Sequence, residues 1–151
     1  LSLAAGHIRV RVANVGMTSK LIDARYPDYQ RVIPQNNTRV MLADRAGLKA
    51  ALARAAILCN DKVKGVRLEL EDWVLRIRAH NTQQEEAEEE IEVNYSGGPL
   101  EIGFNVAYVL DALNALSGDL AKFSLSDHVS SCLISEAESD DSRYVIMPMR
   151  L

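Results

Sequence analysis

Residues 7–12, HIRVRV, alternate strictly, with Ile8, Val10 and Val12 on one side and Arg9 and Arg11 on the other. That period of two predicts a half-buried strand, and residues 13–17 can pair back on it after a turn. In the stretch that follows, TSKLIDARYPDYQRVIPQNN, Pro27, Pro34 and the adjacent Asn36 and Asn37 deny long regular structure. It reads as a short helical turn and then a linker, with a domain boundary near 34–37.

From residue 38 the pattern runs through one cycle and then repeats. A strand over 38–43 leads through Asp44, a good N-cap, into a helix over 45–59 that stops at Asn60. Strands over 65–70, 73–80 and 88–96 follow, the first two joined by a tight turn at Glu71 and Asp72. After Gly97, Gly98 and Pro99 the cycle restarts: a strand over 100–104, Asn105 as N-cap, a helix over 106–116 stopped by Ser117 and Gly118, then strands over 120–125, 129–135 and 144–147. The order β-α-β-β-β thus occurs twice, with little letter-for-letter identity. The fold class expected is α+β, with two helices packed on one face of a mostly antiparallel sheet.

At 100° per residue, Leu48, Ala51, Leu52, Ala55 and Cys59 share the core face of the first helix, and Ala46, Ala50, Ala53 and Ile57 face away. Arg45 and Lys49 flank this small, partly apolar outer face on one side and Arg54 on the other. It suits a smooth polyanion, another protein, or plain solvent. The second helix turns Ala107, Tyr108, Asp111 and Ala115 outward and is not basic. The formal net charge of -4 excludes a domain that wraps nucleic acid by bulk electrostatics, so any DNA contact is expected to be local or weak.

Composition, 48% apolar and 25% charged, is that of a globular chain, and no apolar run approaches the length of a membrane span. The missing initiating Met suggests a piece of a longer protein. Cys59 and Cys132 lie far apart in apolar surroundings, as buried free thiols of a reducing compartment do. His7, His80 and His128 have no metal-ligand spacing, and Ser126, Asp127 and His128, adjacent in a turn, cannot align as a catalytic triad. With no phosphate-binding loop either, no cofactor, metal or catalytic residue is expected.

Two features stand out. Glu85, Glu86, Glu88, Glu89, Glu90 and Glu92 form an acidic run, either a solvated edge strand protected from stray pairing or a patch for a basic partner. The chain ends in YVIMPMRL, apolar where termini are usually polar. The tail either fills core or contributes flexible thioethers to a groove that accepts several peptides.

The segments TSKLIDARYPDYQRVIP, ARAAIL, QQEEAEEE, YSGGPLEIGFNVAYVLDALNAL and YVIMPMRL, in that order, resemble the bacterial DNA polymerase III beta sliding clamp family through essentially the whole chain. The resemblance implies a DNA clamp fold, with residues 1–36 as the closing strands and linker of a second domain and 37–151 as the third. It implies a non-enzymatic processivity factor, cytoplasmic and nucleoid-associated. Such a factor encircles duplex DNA without sequence readout and docks the polymerase III catalytic subunit, clamp-loader subunits, other polymerases and repair proteins through short linear motifs. The family's peptide cleft maps onto Pro27, Arg31, Val32, Ser131, Val145, Ile146, Met147, Pro148, Met149, Arg150 and Leu151. Its head-to-tail homodimer interface maps onto Ile57, Leu58, Glu85, Glu86, Glu88 and Glu89. The DNA-facing candidates are Arg45, Lys49 and Arg54. An unrelated α+β interaction scaffold is the alternative, and a small enzyme has the least support.

Overall fold

The computed structural model describes every residue except Pro27, 60–63, Gln84 and Asp140. It divides into two compact units, Leu1–Gln30 and Arg31–Leu151. The change comes at a 3-10 turn, Tyr29–Arg31, a few residues before the linker end expected from the Pro and Asn signals.

The first unit is a three-stranded antiparallel sheet of β1 (Ser2–Ala4), β2 (His7–Val12) and β3 (Val15–Lys20). The expected pairing of β2 is present, but the returning strand starts at Val15 and carries Thr18, Ser19 and Lys20, opposite Arg9, Ile8 and His7. Residues 18–20 therefore extend a ladder, and the short helical turn expected in this stretch comes later, at Tyr29–Arg31. β1, unanticipated, pairs Ser2 with Arg9. Ile8 and Val10 are half-buried, whereas Val12, beside the hairpin turn, is 69% exposed.

The second unit realises the duplication. β4 (Arg39–Asp44), α1 (Arg45–Ala56), β5 (Gly65–Glu71), β6 (Val74–His80) and β7 (Glu86–Glu92) form one cycle. β8 (Leu100–Asn105), α2 (Val106–Ala115), β9 (Leu120–Leu125), β10 (Cys132–Glu136) and β11 (Arg143–Ile146) form the other. The mostly antiparallel sheet is in fact two four-stranded ones, ordered β11-β10-β9-β4 and β7-β6-β5-β8. Each cycle lends its first strand to the other's sheet, so neither half closes a sheet alone. Bridges at Leu42 to Asn94 and Gly103 to Met149 join the two sheets.

Both caps are as expected: Asp44 accepts from the Gly47 N–H and Asn105 from the Ala107 N–H. On α1, Leu48, Ala51, Leu52 and Ala55 are buried. The helix ends at Ala56, earlier than its apolar period suggests, because the Ile57, Leu58 and Cys59 amides bond carbonyls three residues back, the tightened geometry of a helix end. Asn60 lies outside the described residues. The core runs through both cycles, with Met41, Leu52, Tyr95, Phe104, Phe123 and Ile134 fully buried. The Tyr95 hydroxyl donates to the Gly98 carbonyl at 2.6 Å, and Gly98, at φ +74°, takes the left-handed conformation that glycine adopts without steric cost.

Two further boundaries moved for local reasons. The β5–β6 turn is Asp72 and Trp73, one residue later than expected, so Trp73 is a turn residue. Val129 to Ser131 stay out of β10 because the Asp127 carboxylate accepts from the Val129 N–H at 2.9 Å, the Ser130 N–H at 2.7 Å and the Ser130 hydroxyl at 3.0 Å. This side-chain turn competes with the ladder.

Candidate functional site

The C-terminal residues do not fray. Beyond β11, the edge strand of one sheet, the chain crosses to β8, the edge strand of the other, where the Met149 N–H donates to the Gly103 carbonyl at 2.8 Å. Two strand glycines receive the tail. A Cβ on Gly103 would sit 2.6 Å from the Met149 carbonyl oxygen and 2.8 Å from Leu151 Cδ1, and one on Gly65 would collide with Leu151 Cδ2. Glycine inside a strand often marks such a close approach. Arg67 adds a long contact to the Leu151 carbonyl, at 3.5 Å.

Met147 stands clear of this seam, 65% exposed, with its sulfur 2.8 Å from the Ser131 hydroxyl, which donates to it. Asn37 ties the start of the unit to the same spot, its amide donating to the Ser124 carbonyl at 2.7 Å and the Ser131 carbonyl at 3.0 Å. Val32, five residues earlier and 53% exposed, is therefore within at most about 18 Å of that anchor. Val129, 52% exposed, enters β10 by the same loop as Ser131. Met149, Arg150 and Leu151 face a concavity of about 560 Å³ shared with Arg39, Arg67 and His128.

The expected cleft residues thus separate into groups. Ser131 and Met147 meet directly, and Met149, Arg150 and Leu151 line the concavity. Val145 and Pro148 are half-buried between them, and Arg31 is exposed. Ile146, only 6% exposed, belongs to the core and holds the tail from beneath; a ligand would not reach it. Pro27 lies outside the described residues. Sequence reasoning missed Val129, placed in a strand, and the roles of Gly65, Gly103 and Asn37. The two strand glycines were the available signal.

The acidic run forms β7, an edge strand. Its outward carboxylates meet arginines of β6: Glu88 with Arg78 at 3.0 Å and Glu90 with Arg76 at 2.9 Å. Glu89, on the opposite face, receives both Arg54 Nε and Nη2 at 2.7 Å. This forked hydrogen bond holds the Glu89 carboxyl below, and the Arg54 guanidinium above, their ordinary values. Glu85 accepts from the Asn81 side-chain amide at 2.6 Å, and Glu86 is exposed. Ile57 is 80% exposed at the end of α1, with Leu58 half-buried beside it.

The α1 cations are less available than their spacing suggests. Arg45 donates from Nε to the Gly118 carbonyl at 2.6 Å and from Nη1 to the Leu113 carbonyl at 3.4 Å. It thereby clips the start of α1 to the end of α2, while Arg54 is held by Glu89. Lys49 is exposed. Among the described residues no group of His, Cys, Asp and Glu is arranged to hold a metal, and no helix is long and apolar enough to cross a membrane.

Residues 30–150 match the family described as DNA polymerase III beta subunit, C-terminal domain. The chain belongs to that family. The beta sliding clamp of Pseudomonas aeruginosa is 50% identical over 149 residues, 99% of this chain and 41% of the relative. That of Escherichia coli K12 is 50% identical over 151 residues, 100% of this chain and 41% of the relative. A crystal structure of the P. aeruginosa clamp bound to griselimycin superposes with a TM-score of 0.87 at 50% identity, covering 99% of this chain and 40% of that one. The chain therefore spans about 41% of the length of the curated clamps it matches.

Proposed function

We propose that this chain forms the C-terminal part of a processivity clamp, a non-enzymatic protein that holds a replicative polymerase on duplex DNA, and that it provides one wall of the site where the clamp's partners dock. The observation that carries this reading is the stitched tail. Its anchoring at Gly103 and Gly65 fixes the backbone, so that Met147 and Val129 offer exposed apolar surface beside Ser131, with Arg31 and Arg150 as cationic rims. Short linear motifs bury one or two apolar anchors in such a surface, and thioethers adapt to several of them. A P. aeruginosa relative binds griselimycin, and the same compound is the probe for this chain. Calorimetric titration is expected to show binding, with Met147→Ala or Met149→Ala weakening it by about 1–3 kcal/mol. No loss from either truncation would remove the site.

Ring closure is assigned to the β7 edge and Ile57. One side of β7 is paired with β6, and the other leaves backbone groups for a partner strand. The Glu85, Glu86 and Glu88 carboxylates give register and specificity more than raw affinity. DNA is held by topology. With Arg45 and Arg54 engaged in internal contacts, Lys49 is the principal α1 cation left for phosphate, so direct contacts are few, weak and salt-dependent. A cytoplasmic, nucleoid-associated location follows from that role.

A further inference from the structure

Trp73 is the sole tryptophan of the chain, and it occupies an unusual position. It is the second residue of the two-residue β5–β6 turn, at φ +70°, a conformation unfavourable for a bulky side chain. Its backbone is clamped on both sides, the Trp73 N–H donating to the Tyr95 carbonyl at 3.0 Å and the Trp73 carbonyl accepting from the Val93 N–H at 3.0 Å. The turn is therefore rigid, yet the indole is 61% exposed. Backbone strain retained around an exposed side chain is a reason to look for a role.

The indole borders a groove of about 460 Å³ where the two sheets meet, lined by Leu42, Val74 and Leu120 together with Asp44 and Glu92. Among the described residues, those two carboxylates are its only charged lining groups. Lys122 pairs with Leu42 across the β4–β9 ladder and brings one cation to the border. The groove thus combines an apolar floor, an aromatic face and a net negative rim. The β7 carboxylates next to Glu92 are held by Arg76 and Arg78, so the rim's negative charge is that of Asp44 and Glu92, and the docking tail lies elsewhere.

We infer that this groove is a second docking surface, separate from the Met147 site, and that its occupant is a short basic segment of a partner protein. In that complex an aliphatic side chain lies between Leu42 and Leu120 while Lys or Arg stands over the Trp73 ring and reaches Glu92. Cations are attracted to the face of an indole, and opposite charge at the rim selects against acidic segments.

The single tryptophan is the reporter. Titrating the chain with the blocked peptide acetyl-Lys-Leu-Arg-Leu-Lys-amide is expected to shift Trp73 emission to the blue, with an effect that weakens as salt rises. The Glu-Leu-Glu-Leu-Glu counterpart is expected to leave emission unchanged. Because φ +70° suits glycine, Trp73→Gly is expected to melt no lower than the parent, yet to bind the labelled basic peptide about tenfold more weakly by fluorescence anisotropy. Glu92→Gln is expected to weaken binding as well. Equal shifts with both peptides, unchanged binding by Trp73→Gly, or no shift at millimolar peptide would overturn the proposal. So would a blue shift that depends on protein concentration alone, since a second copy would then be the occupant.

Discussion

Substituting alanine for Gly103 tests whether the seam holds the tail. In most strands this change is mildly stabilising, by about 0.4–1 kcal/mol, through the entropy of the unfolded chain. Here the new Cβ would lie 2.6 Å from the Met149 carbonyl oxygen and 2.8 Å from Leu151 Cδ1, and a backbone atom held in a bridge cannot step aside. Expulsion of the tail bounds the cost, which is then the loss of the Met149 to Gly103 hydrogen bond, about 1 kcal/mol, and of the Leu151 contact. Leu151 remains 40% exposed, so that contact contributes about 1–1.5 kcal/mol. After the entropic offset the net loss is about 1–2 kcal/mol, or about 4–8 °C in Tm for a unit of this size. Gly65→Ala meets only the flexible end of Leu151, so it should cost less, and Leu151→Ala should rescue it. The same second substitution should rescue Gly103→Ala only in part, because the Met149 oxygen remains. Thermal melts of the two double-mutant cycles, with amide exchange at Met149, provide the assay. A Gly103→Ala protein as stable as the parent and still protected at Met149 would refute the seam.

Asp127 supplies a pH test. Hydrogen bonds from the Val129 N–H, then from Ser130, hold its carboxyl below the usual Asp value. A depressed folded value means that the turn's contribution is fully present above the unfolded value and fades as pH falls through the folded one. Protection of the Ser130 amide relative to its intrinsic exchange rate should therefore fall in acid, below the ordinary Asp range, and lose that dependence in Asp127→Asn. Removing the α1 N-cap with Asp44→Ala should cost about 1 kcal/mol in chemical denaturation. Burial raises the Cys132 thiol well above its ordinary value and raises Cys59 to a lesser extent, so under native conditions alkylation should reach Cys59 slowly and Cys132 only on unfolding. The isolated chain should sediment as a monomer, because pairing two β7 edges would set their glutamates against one another. A concentration-independent dimer in analytical ultracentrifugation would contradict the ring-interface assignment.

The parts of the fold legible in the sequence are those governed by local physics. Period-two alternation placed β2, β5 and β9, and the carboxylate and amide caps at Asp44 and Asn105 located both helix starts. The repeated β-α-β-β-β order was visible because each turn carries its own Gly, Asn or Asp signal. The exchange of first strands between cycles was not visible, since pairing partners distant in sequence leave no periodic mark. Trp73 was misplaced because a bulky residue at positive φ runs against turn preference and is fixed by distant backbone bonds to Tyr95 and Val93. The start of β10 was hidden by Asp127, whose side chain recruits amides that would otherwise join the ladder. Of the candidate site, the residues of the tail were identified by likeness to the clamp family. Their support by Gly65, Gly103 and Asn37 appears only when strands far apart in sequence are brought together.

The most direct measurement is the map of amide shifts when griselimycin is added to the isotopically labelled chain. The docking account requires the largest changes at Val129, Ser131, Met147 and Met149, with β7 and the α1 outer face unaffected. Changes confined to β7 or the helices, or a spectrum untouched at saturating compound, would contradict it.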